Sequence, residues 1–239
     1  MKMLLLDLET VQPRKMLASG LVKRRSFHEL AYKVVEKEGN QLITIKEVAI
    51  VVRETTAVRL GLDSTDLHNE QVNVVVADLG NRYQAVNTIK EALEILKEDL
   101  EKVDCLLAHS VRATEQKIVN EEFNLAGIDY QITTTIDTQG AMAVLLEEDE
   151  TLQEEDKTLY SNIKHLSKGE KMVNKQFGTW SLQLAYYYEA KGGEHPHNAM
   201  EDVDAIVKIT EQVIEMGKWE RAEMIGREKS NHKTNRKAE

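Results

Sequence analysis

The sequence is poor in cysteine and has no long apolar run. Cys105 is its only cysteine and lies within the apolar residues 103–108, so a disulfide framework and a cysteine zinc site are excluded and a buried structural thiol is predicted. The early run from Leu4 to Leu6 is too short to span a bilayer, and Asp7 interrupts it before a secretory signal can form. We therefore expect a cytoplasmic protein without a membrane segment.

Positive charge is also scarce. The 239 residues include 31 Lys and Arg against 41 Asp and Glu, which gives a net charge of -10 and argues against a broad basic surface that grips phosphates by counterion release. A nucleic-acid partner would have to be held locally. Divalent metals on clustered carboxylates are one way to reconcile an acidic protein with a phosphate substrate.

The pattern of strands and helices indicates an α/β fold. Residues 2–8 alternate as a strand, and residues 29–35 and 42–52 flank Glu38-Gly39-Asn40, which is a hairpin signal. Helical and apolar patterns then predict, in order, a helix over 88–101, a strand over 103–108, a helix over 111–126 closed by Gly127, a strand over 131–136 and a helix from residue 137. The predicted order is β-β-β-α-β-α-β-α.

The remaining segments suggest a single domain with appendages. Residues 147–176 are acidic and then mixed, with no clear period, so they predict an insertion or a mobile loop. A last helical pattern runs over 197–216, and the charged residues 218–239 are expected to form a frayed or solvated end. We therefore expect one domain over residues 1–217 followed by a charged C-terminal tail.

Two acidic residues end the first strand. Asp7 and Glu9 share one face because side chains alternate along a strand. At the end of an apolar run they are placed where two carboxylates can share a metal ion. The pattern alone is weak, since an Asp and a Glu ending a strand are more often exposed turn residues.

A histidine and an aspartate open the last helix. Asp202 falls on the apolar stripe of this helix, whereas Asp204 lies on its polar face; the stripe continues through Ile206, Ile209 and Val213. An inward carboxylate needs a partner, and a metal ion is one. His197 precedes the helix, where it is free to act on a water or a leaving oxygen, although a capping or core role fits a single histidine equally well.

Together these motifs resemble the DEDDh-type 3'-5' exonucleases. The Asp7-x-Glu9 strand, residues 106–109, residues 136–138 and His197-x4-Asp202 occur in the order and approximate spacing of that family and cover most of residues 1–215. The resemblance implies a ribonuclease H-like mixed β-sheet flanked by helices, with four acidic residues binding two Mg²⁺ or Mn²⁺ ions. It implies that Asp7, Glu9 and Asp202 are metal ligands and that His197 is the general base. It also implies that Thr10 and His109 contact the substrate.

The second motif departs from the family pattern. The family places an Asp five residues after a His-Asn pair, but here His109 is followed by Ser110, and Thr114 stands at the Asp position with Glu115 next to it. If one residue is inserted in this turn, Glu115 supplies the fourth metal ligand. If there is no replacement, the second ion is weakened and activity falls while the fold survives. Val11-Gln12 also stands where the family often has a Thr-Gly pair that lets the backbone approach the substrate.

Basic and aromatic residues offer candidate substrate contacts. Arg14 and Lys15 lead a basic cluster beside the first strand, which is as compatible with a phosphate contact as with a solvated loop; Lys23, Arg24 and Arg25 complete it. Trp180 and the tyrosines at 186–188 could stack on an unpaired base, but packing of a helix is the more frequent use of such residues.

These observations predict a 3'-5' exonuclease that hydrolyses the terminal phosphodiester of single-stranded nucleic acid and releases nucleoside monophosphates by two-metal catalysis. The main alternative is a catalytically impaired module with a nucleic-acid-binding or structural role in a larger replication or particle assembly. A metal phosphohydrolase acting on small nucleotides is a third hypothesis. Glu115 directed at Asp7 would favour the enzyme, and Glu115 in solvent would favour the impaired module.

Overall fold

The computed structural model describes residues 1–11, 25–109, 115–148 and 198–231. Its strands are β1 Lys2–Val11, β2 Ser26–Glu38, β3 Gln41–Val52, β4 Gln84–Val86, β5 Cys105–Ala108 and β6 Thr135–Asp137. Its helices are α1 Arg53–Arg59, α2 Glu70–Asp78, α3 Ile89–Leu100, α4 Glu115–Leu125, α5 Gln139–Glu148, α6 Ala199–Glu215 and α7 Trp219–Asn231. In these ranges, no helix combines the length and apolarity needed to cross a membrane.

The strands form one mixed sheet in the order β4-β3-β2-β1-β5-β6. The three N-terminal strands pair antiparallel, whereas β1 with β5, β5 with β6 and β3 with β4 pair parallel. Gly39, with a φ of 57°, closes the predicted hairpin between β2 and β3, because glycine adopts a left-handed backbone without steric cost. The predicted class, an α/β mixed sheet flanked by helices, is confirmed.

The two faces of the sheet carry separate apolar layers. Along β1, Met3 and Leu5 pack with residues of α5, α6 and α7, whereas Leu4 and Leu6 pack with residues of α3 and α4. Each fully buried leucine contributes about 1.5 to 3 kcal/mol to folding relative to an exposed one. Because side chains alternate, Asp7 continues the row of Met3 and Leu5. We call the face covered by α5, α6 and α7 the site face, and the other the α3 face.

The charged C-terminal segment contributes to the core. Trp219 and Ala222 of α7 are buried in the apolar layer of the site face. A Cβ at Gly140 would lie 2.1 Å from the Ala222 carbonyl oxygen, and a Cβ at Gly226 would lie 2.5 Å from that of Asp137. The α7 backbone therefore lies directly against α5 and the end of β6. The predicted frayed or solvated end is wrong from Trp219 to Asn231; residues 232–239 lie outside the described part.

Several predicted boundaries are changed by the structure. The sequence did not predict α1, α2 and β4, which fill the segment between β3 and α3. The strand predicted over 131–136 is confined to Thr135–Asp137, and the helix predicted over 111–126 is described from Glu115 onward. The predicted insertion over 147–176 lies outside the described residues beyond Glu148, the last residue of α5.

Candidate metal centre

Three of the acidic residues predicted from the sequence come together at one point. Asp7 and Glu9 of β1 and Asp202 of α6 each offer a carboxylate oxygen, and these oxygens all lie within 4.8 Å of one another. All three residues are partly buried. In the described ranges, this is the one group of three or more His, Cys, Asp and Glu side chains close enough to hold a metal ion together.

The amphipathic character of α6 explains how Asp202 reaches β1. Val203, Ile206 and Ile209 are fully buried in the layer of the site face, so this side of the helix rests on the sheet. Asp202 was predicted to point inward, and it meets the β1 carboxylates. Asp204 was predicted to point outward, but only 25% of its side chain is exposed, because its carboxylate forms ion pairs of 2.6 Å with Lys33 and 2.8 Å with Arg82.

The electrostatics of the cluster are unfavourable without a cation. Burial raises the pKa of Asp7 well above its ordinary value, and the neighbouring carboxylates raise it further; in decreasing order of effect they belong to Asp202, Glu115, Glu9 and Glu29. The four charges with the largest effects on the pKa of Asp7 are thus all negative. Carboxylates held close together repel when ionised, and a divalent cation removes this repulsion.

Glu115, the candidate replacement for the missing Asp, is not in solvent. It is the first residue of α4, and its side chain is only 6% exposed. Burial raises the pKa of Glu115 to about 8; its own backbone N–H lowers it and the Asp137 carboxylate raises it. Its Oε2 has no hydrogen-bond partner among the described residues. Glu115 acts on Asp7 but lies outside the group of three, so its role as a fourth ligand stays a prediction.

Of the other predicted site residues, the structure describes Thr10 and His109. Thr10 follows Glu9 on β1, where the register with β2 shifts. His109 is buried, with its Nδ1 2.9 Å from the Thr138 hydroxyl. Arg14, Lys15 and His197 lie outside the described residues. Their proposed roles in substrate binding and catalysis, and those of Thr10 and His109, stay predictions.

Two residues near the cluster were missed by the sequence analysis. Glu29 lies directly opposite Glu9 in the antiparallel pair of β1 and β2 and is only 5% exposed. Burial raises the pKa of Glu29, and the Glu9 charge raises it further. Burial raises the pKa of Glu9, and the charge of the exposed Arg59, at the end of α1, offsets part of this rise. The available signal for Glu29 was an acidic residue inside an apolar strand.

His28 does not form a charged pair with its neighbour Glu29. Its Nδ1 lies 3.5 Å from a Glu29 carboxylate oxygen and 3.5 Å from Arg59 Nη1. Burial, with a contribution from the Arg59 charge, lowers the pKa of His28 to about 4. The imidazole is therefore neutral near pH 7, and it does not neutralise the carboxylates.

Comparisons with known proteins give a distant structural likeness. No protein-family model matches the sequence, and no curated protein matches it significantly. Among solved structures, the chain is similar to one described as "3'-end specific recognition of histone mRNA stem-loop by 3'-exonuclease", with 12% sequence identity and a TM-score of 0.48. The match covers 91% of this chain and 65%, less than two thirds, of that one. At this degree of similarity, function has to be argued from the present chain's own residues.

Proposed function

We propose that the chain is a metal-dependent 3'-5' exonuclease that hydrolyses the terminal phosphodiester of single-stranded nucleic acid and releases nucleoside monophosphates. The observation that supports this proposal is the meeting of Asp7, Glu9 and Asp202, whose carboxylate oxygens lie within 4.8 Å of one another. The motifs that resemble the DEDDh exonucleases assign the same three residues as metal ligands. Geometry and motif therefore point to the same side chains.

The donor set fits Mg²⁺ or Mn²⁺. Both are hard cations that prefer carboxylate oxygens, and all three clustered groups are carboxylates. The desolvation and negative surroundings that raise the pKa of Asp7 make a cation favourable at this position. Asp7, Glu9 and Asp202 would hold the first ion, and the unpartnered Oε2 of Glu115 would add a ligand for a second.

The chain's own residues would divide the chemistry of hydrolysis among them. When bound, the metal supplies charge stabilisation to the phosphodiester and to the leaving 3' oxygen. The His197 imidazole would accept the proton of the attacking water, as the resemblance implies, because histidine side chains commonly act as general bases near pH 7. Arg14, Lys15 and the exposed Arg59 would contact backbone phosphates. The resulting hydroxide would add to phosphorus as the bond from phosphorus to the 3' oxygen breaks. The leaving oxygen would take a proton from solvent, to which His197 returns the one it accepted.

A catalytically impaired binding module is the second candidate. It is favoured by Thr114 at the position of the expected Asp and by Glu115 lying outside the three clustered carboxylates. In such a module, Asp7, Glu9 and Asp202 would still hold one ion. A weak second ion would leave binding of a 3' end intact while hydrolysis is slow.

Degradation of labelled oligonucleotides tests the enzyme. Single-stranded DNA and RNA, each labelled at the 5' end, would be incubated with the full chain and Mg²⁺ or Mn²⁺. We expect shortening from the 3' end with release of nucleoside monophosphates, and a rate at least about 100-fold lower for Asp202→Asn, because a metal ligand is lost. The matched control is Asp99→Asn, which removes a buried carboxylate from the α3 face and should leave the rate unchanged below its melting temperature.

The outcomes separate the three hypotheses. Equal rates for the wild-type chain and Asp202→Asn would contradict metal-dependent hydrolysis at this site. Binding of a 3' end in the presence of Mn²⁺, without shortening, would support the impaired module. Strong competition by mononucleotides against the labelled strand would instead indicate a phosphohydrolase acting on small nucleotides.

A further inference from the structure

The first turn of α6 carries Asp202, and side chains from other elements hold it in place. The first N–H groups of a helix have no partner within the helix, so they need acceptors from elsewhere. The cap residue Asn198 accepts a bond from the Glu201 N–H at 3.0 Å. Two further side chains along this turn, Tyr83 and Glu29, come from distant parts of the sequence.

Tyr83 makes two bonds to this turn through one oxygen. Its hydroxyl accepts a hydrogen bond from the Met200 N–H at 3.0 Å and donates one to Asn198 Oδ1 at 3.1 Å. Tyr83 lies one residue before β4 and is partly buried against the layer of the site face. The hydroxyl thus connects the cap residue and the second helical residue of α6 to the edge of the sheet formed by β4.

Glu29 completes the arrangement. Its carboxylate faces the Ala199 N–H and the Tyr83 hydroxyl, and both offset part of the rise in the pKa of Glu29 caused by burial and by the Glu9 charge. The N–H groups of Met200 and Glu201 are therefore bonded to the side chains of Tyr83 and Asn198, and the Ala199 N–H faces the Glu29 carboxylate. Acceptors at the first N–H groups fix the position and the direction of a helix end.

Asp202 follows immediately. Its own N–H bonds to the Asn198 carbonyl at 3.1 Å, so the turn that is capped is the turn that carries the carboxylate. Metal–oxygen distances are confined to about 2.0 to 2.6 Å, and a productive site tolerates errors of only about 0.5 Å. A small shift of this turn would therefore move Asp202 out of reach of an ion held by β1.

We infer that Tyr83 is a positioning residue that fixes the first turn of α6 and thereby sets where Asp202 meets Asp7 and Glu9. The inference rests on the proposed function, because it assigns Tyr83 to the metal centre without contact to the metal. Outer residues that orient metal ligands typically change metal affinity by about 10 to 100-fold when they are lost.

A pair of matched variants tests this role. Tyr83→Phe removes one hydroxyl from the site face, and Tyr32→Phe removes one from the α3 face, where it donates to Asp99 at 2.6 Å. Mn²⁺ affinity would be measured by calorimetry, and hydrogen exchange would be followed at the amides of residues 199–202. We expect Tyr83→Phe to bind Mn²⁺ about 10-fold more weakly and to exchange these amides faster. Tyr32→Phe should lower the melting temperature and change neither quantity.

The failures of the inference and of the proposed function give different results. If the wild-type chain binds Mn²⁺ and Tyr83→Phe binds it equally well, or keeps the same exchange at residues 199–202, the inference is overturned alone. An equal loss of affinity in Tyr32→Phe would also overturn it, since the effect would then be general destabilisation. A wild-type chain that binds no Mn²⁺ would overturn the proposed function, and with it the inference.

Discussion

Asp7 and Asp99 lie on opposite faces of the same sheet, and the main charges around them are of opposite sign. On the α3 face, an Asp99 oxygen accepts hydrogen bonds from the Tyr32 hydroxyl at 2.6 Å and the Lys46 ammonium at 2.5 Å. Burial alone would raise the pKa of Asp99, but these bonds and the charges of Lys46 and Lys102 hold it below its usual value. On the site face, burial and surrounding carboxylates raise the pKa of Asp7.

The difference separates an acid paired with cations of its own chain from one assigned to the proposed metal centre. Asp99 is neutralised by cations of its own chain, so its charge is satisfied by folding alone. The charges with the largest effects on the pKa of Asp7 are negative, so these neighbours oppose its ionisation. Strongly perturbed carboxylates that converge from different elements are typical of binding and catalytic sites. Substitution of the two aspartates should therefore change stability in opposite directions, and only substitution of Asp7 should weaken metal binding.

The largest expected effect is that of Asp7→Asn on the metal centre. Loss of this carboxylate should lower the rate of 3' degradation at least about 100-fold and abolish tight Mn²⁺ binding. In EDTA, the same substitution should raise the free energy of unfolding by about 1 kcal/mol, because it removes like-charge repulsion. Urea denaturation measures the second effect. A variant that is less stable without metal would break the contrast between the two faces.

Asp99→Asn should behave in the opposite way. We expect the free energy of unfolding to fall by about 1 to 3 kcal/mol, because Lys46 and Tyr32 lose a buried, charged acceptor. Mn²⁺ affinity should not change, since the metal centre is on the other face. Urea denaturation and calorimetry on the same sample check both statements, and a weaker Mn²⁺ affinity would show that the two faces are coupled.

Glu115→Gln sharpens the comparison within the site face. If Glu115 supplies the fourth carboxylate, the variant should keep one tight Mn²⁺ ion, lose the second, and degrade a labelled strand about 10-fold more slowly. Calorimetric titration with Mn²⁺ resolves the two ions. A rate and a stoichiometry unchanged from the wild-type chain would remove Glu115 from the metal centre.

The smallest expected effect is the change with pH in the contribution of Asp99 to the free energy of unfolding. A carboxyl whose pKa is lowered by folding stabilises the protein fully above its unfolded pKa, near 3.9, and loses this contribution as pH falls through the folded value. The stability difference between the wild-type chain and Asp99→Asn should therefore be constant from about pH 8 to pH 5 and shrink below about pH 4. A difference that grows on acidification would contradict the sign of the shift.

The sequence predicted the elements whose patterns are local and strong. The alternation of β1 placed Asp7 and Glu9 on one face, and the period of α6 placed Asp202 on its apolar stripe, which is enough to anticipate their convergence. By contrast, the first turns of α1 contain Thr55 and Thr56. Because β-branched residues are weak helix formers, this helix was not predicted. The helix α7 was misread because its charge obscured the spacing of its buried residues Trp219 and Ala222.

The residues that support the site depend on non-local geometry. Glu29 faces Glu9 only in the observed register of β1 and β2. Residues 12–25 separate the two strands in the sequence, which is too long a connection for a hairpin pattern to predict that register. Tyr83 reaches Asn198 across 115 positions of sequence. Neither contact leaves a periodic signal, since each arises from how the strands and helices pack together.

The most direct test of the shared metal centre is anomalous diffraction from crystals grown with Mn²⁺. Data collected near the manganese absorption edge locate the ion without reference to activity. We predict an anomalous peak bonded to carboxylate oxygens of Asp7, Glu9 and Asp202, at about 2.0 to 2.3 Å. Well-ordered density for these three side chains, with no anomalous peak between them at a saturating Mn²⁺ concentration, would contradict the account.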